Sequence, residues 1–414
     1  MISVDSLFSQ SITSSPYSRF GIGSLHGSQL PCYSSLGGAH VSYNSSDAIN
    51  PYNPSTYSSF KPKSVLFSTG IYGQTMRISN NEQNQITNNT SLGHILLGMP
   101  ITESISISTG LIPYSSVGYL LEDNEIIDDI GSVDYTFSGD GGLSNYYLGG
   151  SMRINDILSL GVNASYMFGG LNRYKTAVFE NSDIFNTNVV NQMNITGISV
   201  QYGVLFDKEL SNSNIDRVIF GVTFKDNSYL SAKRTLIGNT YSVNPSVIIK
   251  DTFTYAIDEG SIMLPQELSA GVSLFYSDQW MFIGTYSSQN WSDFEIEFNE
   301  QIETDSLANS VSFSAGVQYD PDSRLSQKYL SKMSYRLGAK YDQSYLQLRQ
   351  QQILEKSISF GVGCPANNGN TMYNISLEVG ERGTINDNLI KEDFLRFNVG
   401  VTFMGKWFVQ RKYN

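Results

Sequence analysis

Few side chains in this 414-residue chain have the type and spacing for covalent or metal chemistry. The three histidines, His26, His40 and His94, stand away from acidic residues at metal-ligand spacing. Sequence order assembles no Ser/His/Asp arrangement. Gly21-Ile22-Gly23 lacks the strand–helix context that a nucleotide site needs. No catalytic residue, cofactor or metal is therefore expected. Glu122, Asp123, Glu125, Asp128, Asp129, Asp134 and Asp140 offer the oxygen ligands that calcium prefers, but their spacing fits no EF-hand, and a solvated surface is expected. Cys32 and Cys364 are too few for a disulfide scaffold or a zinc site.

What remains is a small set of charges, Arg336, Lys340, Glu378 and Arg396, in otherwise uncharged surroundings. Charged residues make up only 15% of the chain, against about 25% in ordinary soluble domains. Hydrophobic residues reach 40% and aromatics 12%, with 26 Tyr and 22 Phe. A net charge of −12 argues against nucleic acid as a partner. No stretch is long and apolar enough for a transmembrane helix. Polar but uncharged, aromatic-rich and Gly-rich sequence suits strands with one face in lipid and the other in a wet lumen.

Alternation decides the fold class. In 157–168, Leu158, Leu160, Val162, Ala164, Tyr166 and Phe168 share one face, and Ser159, Gly161, Asn163, Ser165 and Met167 the other. Leu395, Phe397, Val399, Val401 and Phe403 alternate with Arg396, Asn398, Gly400 and Thr402 in the same way. Such runs predict about 14 strands, at 64–78, 91–99, 102–111, 144–153, 157–168, 192–206, 216–226, 266–276, 279–290, 310–320, 333–342, 354–363, 372–381 and 393–404. Connections between them alternate, one set mostly short, the other mostly longer. The longer set includes the acidic 112–143, and 227–265, in which 246–257 reads as part of a raised hairpin. This is the layout of a closed antiparallel outer-membrane β-barrel with both ends at the periplasm. Outer-membrane lipids are its expected surroundings.

The strands then place the charges. Arg336, Lys340, Glu378 and Arg396 fall on lumen faces of the last four strands, with Glu378 and Arg396 as cross-strand partners. They could form a ligand headgroup site; a structural pair tying wall to plug is the stronger expectation. Pro113 follows the third strand, either as its ordinary end or as a kink beside a lateral opening. Trp280, Trp291 and Trp407 suit interfacial girdles. Residues 1–60 are turn-rich and barely alternate, so they form a tail, a periplasmic segment or a plug, ahead of a barrel over 61–414. Cys32 in that segment and Cys364 at a periplasmic turn leave two readings open, one disulfide between them or two free thiols. Met1-Ile2-Ser3-Val4-Asp5-Ser6-Leu7-Phe8 has no basic region and no long apolar core, so no signal peptide is visible.

Asn53-Pro54-Ser55 resembles the Asn-Pro-Ala motif that closes the hatch of FadL-type outer-membrane channels, with Ser55 in place of the usual Ala. Other segments resemble FadL-like barrels of the Bacteroidetes: Ser15 to Gly23, Gly110 to Tyr119, Leu264-Pro265, Trp280 and Trp291 around the ninth strand, and Lys406 to Tyr413. The resemblance implies a 14-stranded barrel with residues 1–60 as a hatch. It implies uptake of hydrophobic, long-chain fatty-acid-like molecules through a kinked third strand, with Gly110 and Pro113 at the lateral gate. For the same branch it implies an alternative: a non-transporting scaffold subunit of a barrel-assembly or secretion complex, with other outer-membrane proteins as partners.

Overall fold

The computed structural model describes residues 13–406 except 182, 211–214, 244–246, 278, 300, 304–306, 322–327, 367 and 368. Its described strands form one antiparallel sheet that closes on itself. The staves are β1 (Ser64–Ser79), β2 (Asn84–Pro100), β3 (Ile105–Ile127), β4 (Gly131–Arg153), β5 (Leu158–Phe179) and β6 (Asn186–Glu209). Four staves are each broken in two: β7 (Arg217–Lys225 and Ser228–Val243), β8 (Val247–Leu264 and Glu267–Tyr276), β9 (Trp280–Gln289 and Glu295–Phe298) and β10 (Gln301–Glu303 and Ser310–Tyr319). β11 (Ser334–Leu348), β12 (Gln351–Pro365), β13 (Thr371–Gly383) and β14 (Lys391–Lys406) complete the wall. β14 pairs with β1 from Lys406↔Ser64 to Lys391↔Ser79, so the 14-stranded barrel is closed.

All fourteen predicted strands are present. The alternation reads out as apolar outside and polar inside. On β5, Leu160, Val162, Tyr166 and Phe168 are exposed, whereas Ser159, Asn163, Ser165 and Met167 are buried. Of the short connections, those after β2 (101–104) and after β4 (154–157) are described throughout and are tight turns, as expected. The long ones differ: most are strand. Residues 112–143 form a tall hairpin, β3 running to Ile127 and β4 starting at Gly131. Backbone pairing continues there, and near the tip Glu122 to Ile126 are exposed on both faces, which erases the period-2 signal at that height. The raised hairpin around 246–257 is found, paired from Leu264↔Ser228 to Val247↔Val243 with register shifts at Ile249/Asp251 and Thr254/Ala256.

The lumen is filled from two sides. Toward the long hairpins, Trp291, Phe294, Phe298, Tyr345, Leu171 and Met193 join an apolar core together with Tyr17 and Ile22 of the N-terminal segment. Trp291 is wholly buried and stacks on Tyr345, ring centroids 4.4 Å apart. It is a lumen residue rather than a girdle residue: a 3-10 turn, Trp291–Asp293, interrupts β9. Trp280 is exposed on the outer face and packs on Tyr319. Trp407 lies outside the described residues. Toward the short turns, a second core gathers Leu30, Tyr33, Leu36, Tyr43, Ile49 and Tyr57 of the N-terminal segment against Leu66, Leu96 and Tyr147 of the wall.

Candidate functional site

The wall is interrupted between β2 and β3. Their ladder runs only from Pro100↔Ser106 to Ile95↔Leu111. Above it β2 stays paired with β1, and β3 with β4, up to the hairpin tips. The residues at the break explain it. Gly93 is an extra residue on β2, since Gly70 pairs with His94 and Ile71 with Leu92. One rung short of the last, where Gly110 faces Leu96, a Cβ on Gly110 would lie 2.5 Å from the Ile95 carbonyl oxygen. Pro113 has no N–H for the ladder, and the register against β4 slips between Pro113 and Ser115. Pro113 is thus inside the third strand, not after it: β3 continues another fourteen residues to Ile127. The edge that β3 turns away from β4 is taken by a two-residue strand of the N-terminal segment, Ser24↔Ser116 and Leu25↔Ser115.

Between the two cores lies a cavity of about 320 Å³ that reaches Ile112, Pro113 and Tyr114. Its lining mixes hydroxyl, amide and charged groups with apolar surface from side chains such as Leu25, Met76, Ile112 and Met167. Lys340, Glu378 and Arg396 line it together with Glu355. Glu378 and Arg396 are opposite each other in register, with Arg396 Nη1 3.4 Å from Glu378 Oε1. The nearer carboxylate is Glu355, at 2.8 and 3.2 Å from the two guanidinium nitrogens. Lys340 Nζ lies 3.5 Å from Glu355 and 3.8 Å from Asp342. Arg396 also donates to Gln74 Oε1 at 3.0 Å and lies over the Phe394 ring. Glu355 was missed by sequence reading, although its parity with Ser357 and Ser359 on the inner face of β12 was available. Arg336 does not join this cluster. It donates to Gln318 and Asn374, both at 2.8 Å.

The N-terminal segment faces the cavity through His26. Its backbone N–H donates to the Tyr114 carbonyl, and its Nε2 lies 2.6 Å from Ser116 Oγ. Enclosure in the barrel, then the Arg396 charge, pull its pKa down to about 4, so the ring is neutral at neutral pH.

Asn53, Pro54 and Ser55 are buried deep in the barrel. Asn53 caps the 3-10 turn Pro54–Ser59, its Oδ1 accepting from the Ser55 N–H at 3.2 Å and from Ser55 Oγ at 2.6 Å. Its Nδ2 donates to the Val41 carbonyl at 2.6 Å. The serine hydroxyl therefore closes the cap in a way that Ala cannot. Glycines in the wall admit the motif: a Cβ on Gly161 would meet Pro54 at 2.4 Å, and one on Gly203 would meet Asn53 Oδ1 at 2.3 Å. Across the barrel, a Cβ on Gly338 would lie 2.0 Å from the Gly37 nitrogen.

Cys32 and Cys364 are both free thiols. Cys32 is buried in the helical turn Pro31–Ser34 inside the barrel. Cys364 shares the outward parity of Ile358, Phe360 and Val362 on β12, so the wall separates the two sulfurs and the disulfide reading is corrected. Among the described residues, no group of three or more His, Cys, Asp or Glu could hold a metal ion.

This geometry matches known structures. The toluene transporter TodX of Pseudomonas putida aligns with TM-score 0.62 at 14% identity, over 93% of this chain and 99% of that one. The toluene transporter TbuX of Ralstonia pickettii gives 0.61 at 13%, over 92% and 98%. A FadL homologue of Pseudomonas aeruginosa gives 0.60 at 11%, over 92% and 99%. The fold is that of the FadL-type barrels. Within it, the chain belongs to the BamG family, whose model matches residues 1–414. No curated protein matches the chain.

Proposed function

We propose that the protein is an outer-membrane channel for hydrophobic small molecules, with residues 1–60 as its hatch and the break between β2 and β3 as its lateral opening. The observation that carries this reading is that break, met from inside by the cavity at Ile112–Tyr114. A closed barrel with an apolar outer face belongs in a lipid bilayer, and short turns on one side with long hairpins on the other suit a bacterial outer membrane. Structural neighbours described as toluene transporters support hydrophobic cargo. On this reading Gly110 and Pro113 form the gate, and the segments that resemble Bacteroidetes barrels support membership of that branch. The test is uptake of a radiolabelled long-chain fatty acid, and separately of toluene, by cells with and without the protein. Faster uptake of either supports the channel; equal rates for both reject it.

A second reading, a scaffold subunit of a barrel-assembly or secretion complex, is favoured by one observation. Both halves of the lumen are packed, and paired charges line the cavity between them. On that reading Lys340, Glu378 and Arg396 are structural ties, and outer-membrane proteins co-purify in fixed ratio.

A further inference from the structure

The cavity between the two cores carries more charge than a passage for hydrocarbon needs. Among the described residues that line it, Lys225, Lys340, Arg382 and Arg396 are cations, and Glu267, Asp342, Glu355, Glu378 and Glu392 are carboxylates. Each cation already has a carboxylate in reach. Lys225 Nζ lies 3.2 Å from Glu267, and Lys340 Nζ 3.5 Å from Glu355. Arg382 lies 4.0 Å from Glu392, and Arg396 2.8 Å from Glu355. Burial lowers the pKa of His26 and of His40, so neither ring adds a positive charge at neutral pH. The lining therefore holds one carboxylate more than it has cations.

An ionised carboxylate entering this space would lose its water and find no unpaired cation in exchange. It would also face the carboxylates of the wall. A head group without charge avoids both penalties. Two groups of the lining suit such a head. Asn145 Oδ1 and Thr285 Oγ1 are buried with no hydrogen-bond partner among the described residues. Buried polar atoms normally have one. Asn145 Oδ1 only accepts, so it needs a donor, which a hydroxyl or an amide supplies and an ionised carboxylate does not. The apolar share of the lining, Leu25, Met76, Ile112 and Met167, lies on the N-terminal segment and on β1, β3 and β5, the side of the barrel where the wall is broken. At about 320 Å³ the cavity has room for one small molecule.

We propose that the cargo of this cavity is an apolar molecule with an uncharged hydroxyl or amide head, and that the paired charges of the lining exclude carboxylates. This rests on the channel reading and narrows its cargo. Specificity here comes as much from what the lining repels as from what it binds.

Equilibrium binding to the purified protein in lipid nanodiscs tests it. The probes are radiolabelled dodecanol, dodecanoate and dodecane above neutral pH, with binding to lipid-only discs subtracted. Dodecanol should bind about tenfold more tightly than either of the others. Glu355→Gln removes the carboxylate shared by Lys340 and Arg396, so this variant should bind dodecanoate about tenfold more tightly than the native chain does. Dodecanoate or dodecane binding the native protein as tightly as dodecanol overturns the proposal and leaves the channel reading standing. A folded Glu355→Gln variant with no gain for dodecanoate overturns it too; if the variant loses its folded gel mobility, the three native affinities decide. Binding of none of the three above the lipid-only discs overturns the proposal and the channel reading together.

Discussion

Arg396 is held between two carboxylates, and removing it leaves Glu355 and Glu378 facing each other in the barrel interior. Breaking a buried pair on one side costs about 3–5 kcal/mol, because the remaining charge keeps its desolvation penalty. Arg396→Ala should therefore lower the thermal unfolding temperature in detergent, and adding Glu355→Gln should recover part of the loss. An unchanged transition in the single variant would sink the structural role. The pairing of Glu378 with Arg396 was legible in the alternation, since their parity and distance from the 382–392 connection put them opposite each other. The nearer partner was not legible, because β12 reaches Arg396 across β13, and that depends on how the sheet curves. Cysteine chemistry makes a second test. Intact mass should be the same with and without reductant. A membrane-permeant maleimide should modify Cys364 readily, and Cys32 only after unfolding. A mass two hydrogen atoms lighter without reductant would mean the bond exists.

At the scale of elements, the strands and the raised hairpin around 246–257 were readable, and the strand content of the other long connections was not. Below the hairpins one face meets an apolar surrounding and the other a polar lumen, so the residues alternate. Near the tips the ladders continue with both faces wet, and β3 carries the exposed acids Glu122, Asp123 and Glu125 on both faces. Pro113 misled for a related reason. Proline suggests a strand end, yet a bulge at Pro113/Ser115 lets β3 continue. The contact between wall and N-terminal segment was invisible in sequence, because a glycine on the inner face looks like any other small residue. Gly338→Ala tests that contact. The added methyl would collide with the Gly37 backbone, and overpacking of this kind costs about 1–3 kcal/mol. The barrel should still form, but Cys32 should become reactive to maleimide in the folded state. Full protection of Cys32 in that variant would show the segment is not seated there.

For the whole molecule, the consequence of two packed regions is a closed pore. Purified protein in a planar bilayer should show no porin-like conductance steps, and Trp291→Ala, which removes the largest wholly buried side chain of the upper core, should admit brief openings. Stable porin-like currents from the unmodified protein would contradict the packing of both cores. Composition, alternation and the two classes of connection by themselves determined a closed antiparallel barrel of about 14 strands, its inner and outer faces, and the lumen face on which Arg336, Lys340, Glu378 and Arg396 lie. Those are local properties, because each strand's residues record the solvent on its two sides. Only the tertiary structure decided where the wall opens, which carboxylate holds Arg396, that Trp291 fills the lumen, and that Cys32 and Cys364 lie on opposite sides of the wall. Each of these depends on residues far apart in the chain meeting across a curved sheet, and period-2 patterning carries no information about which distant residues meet.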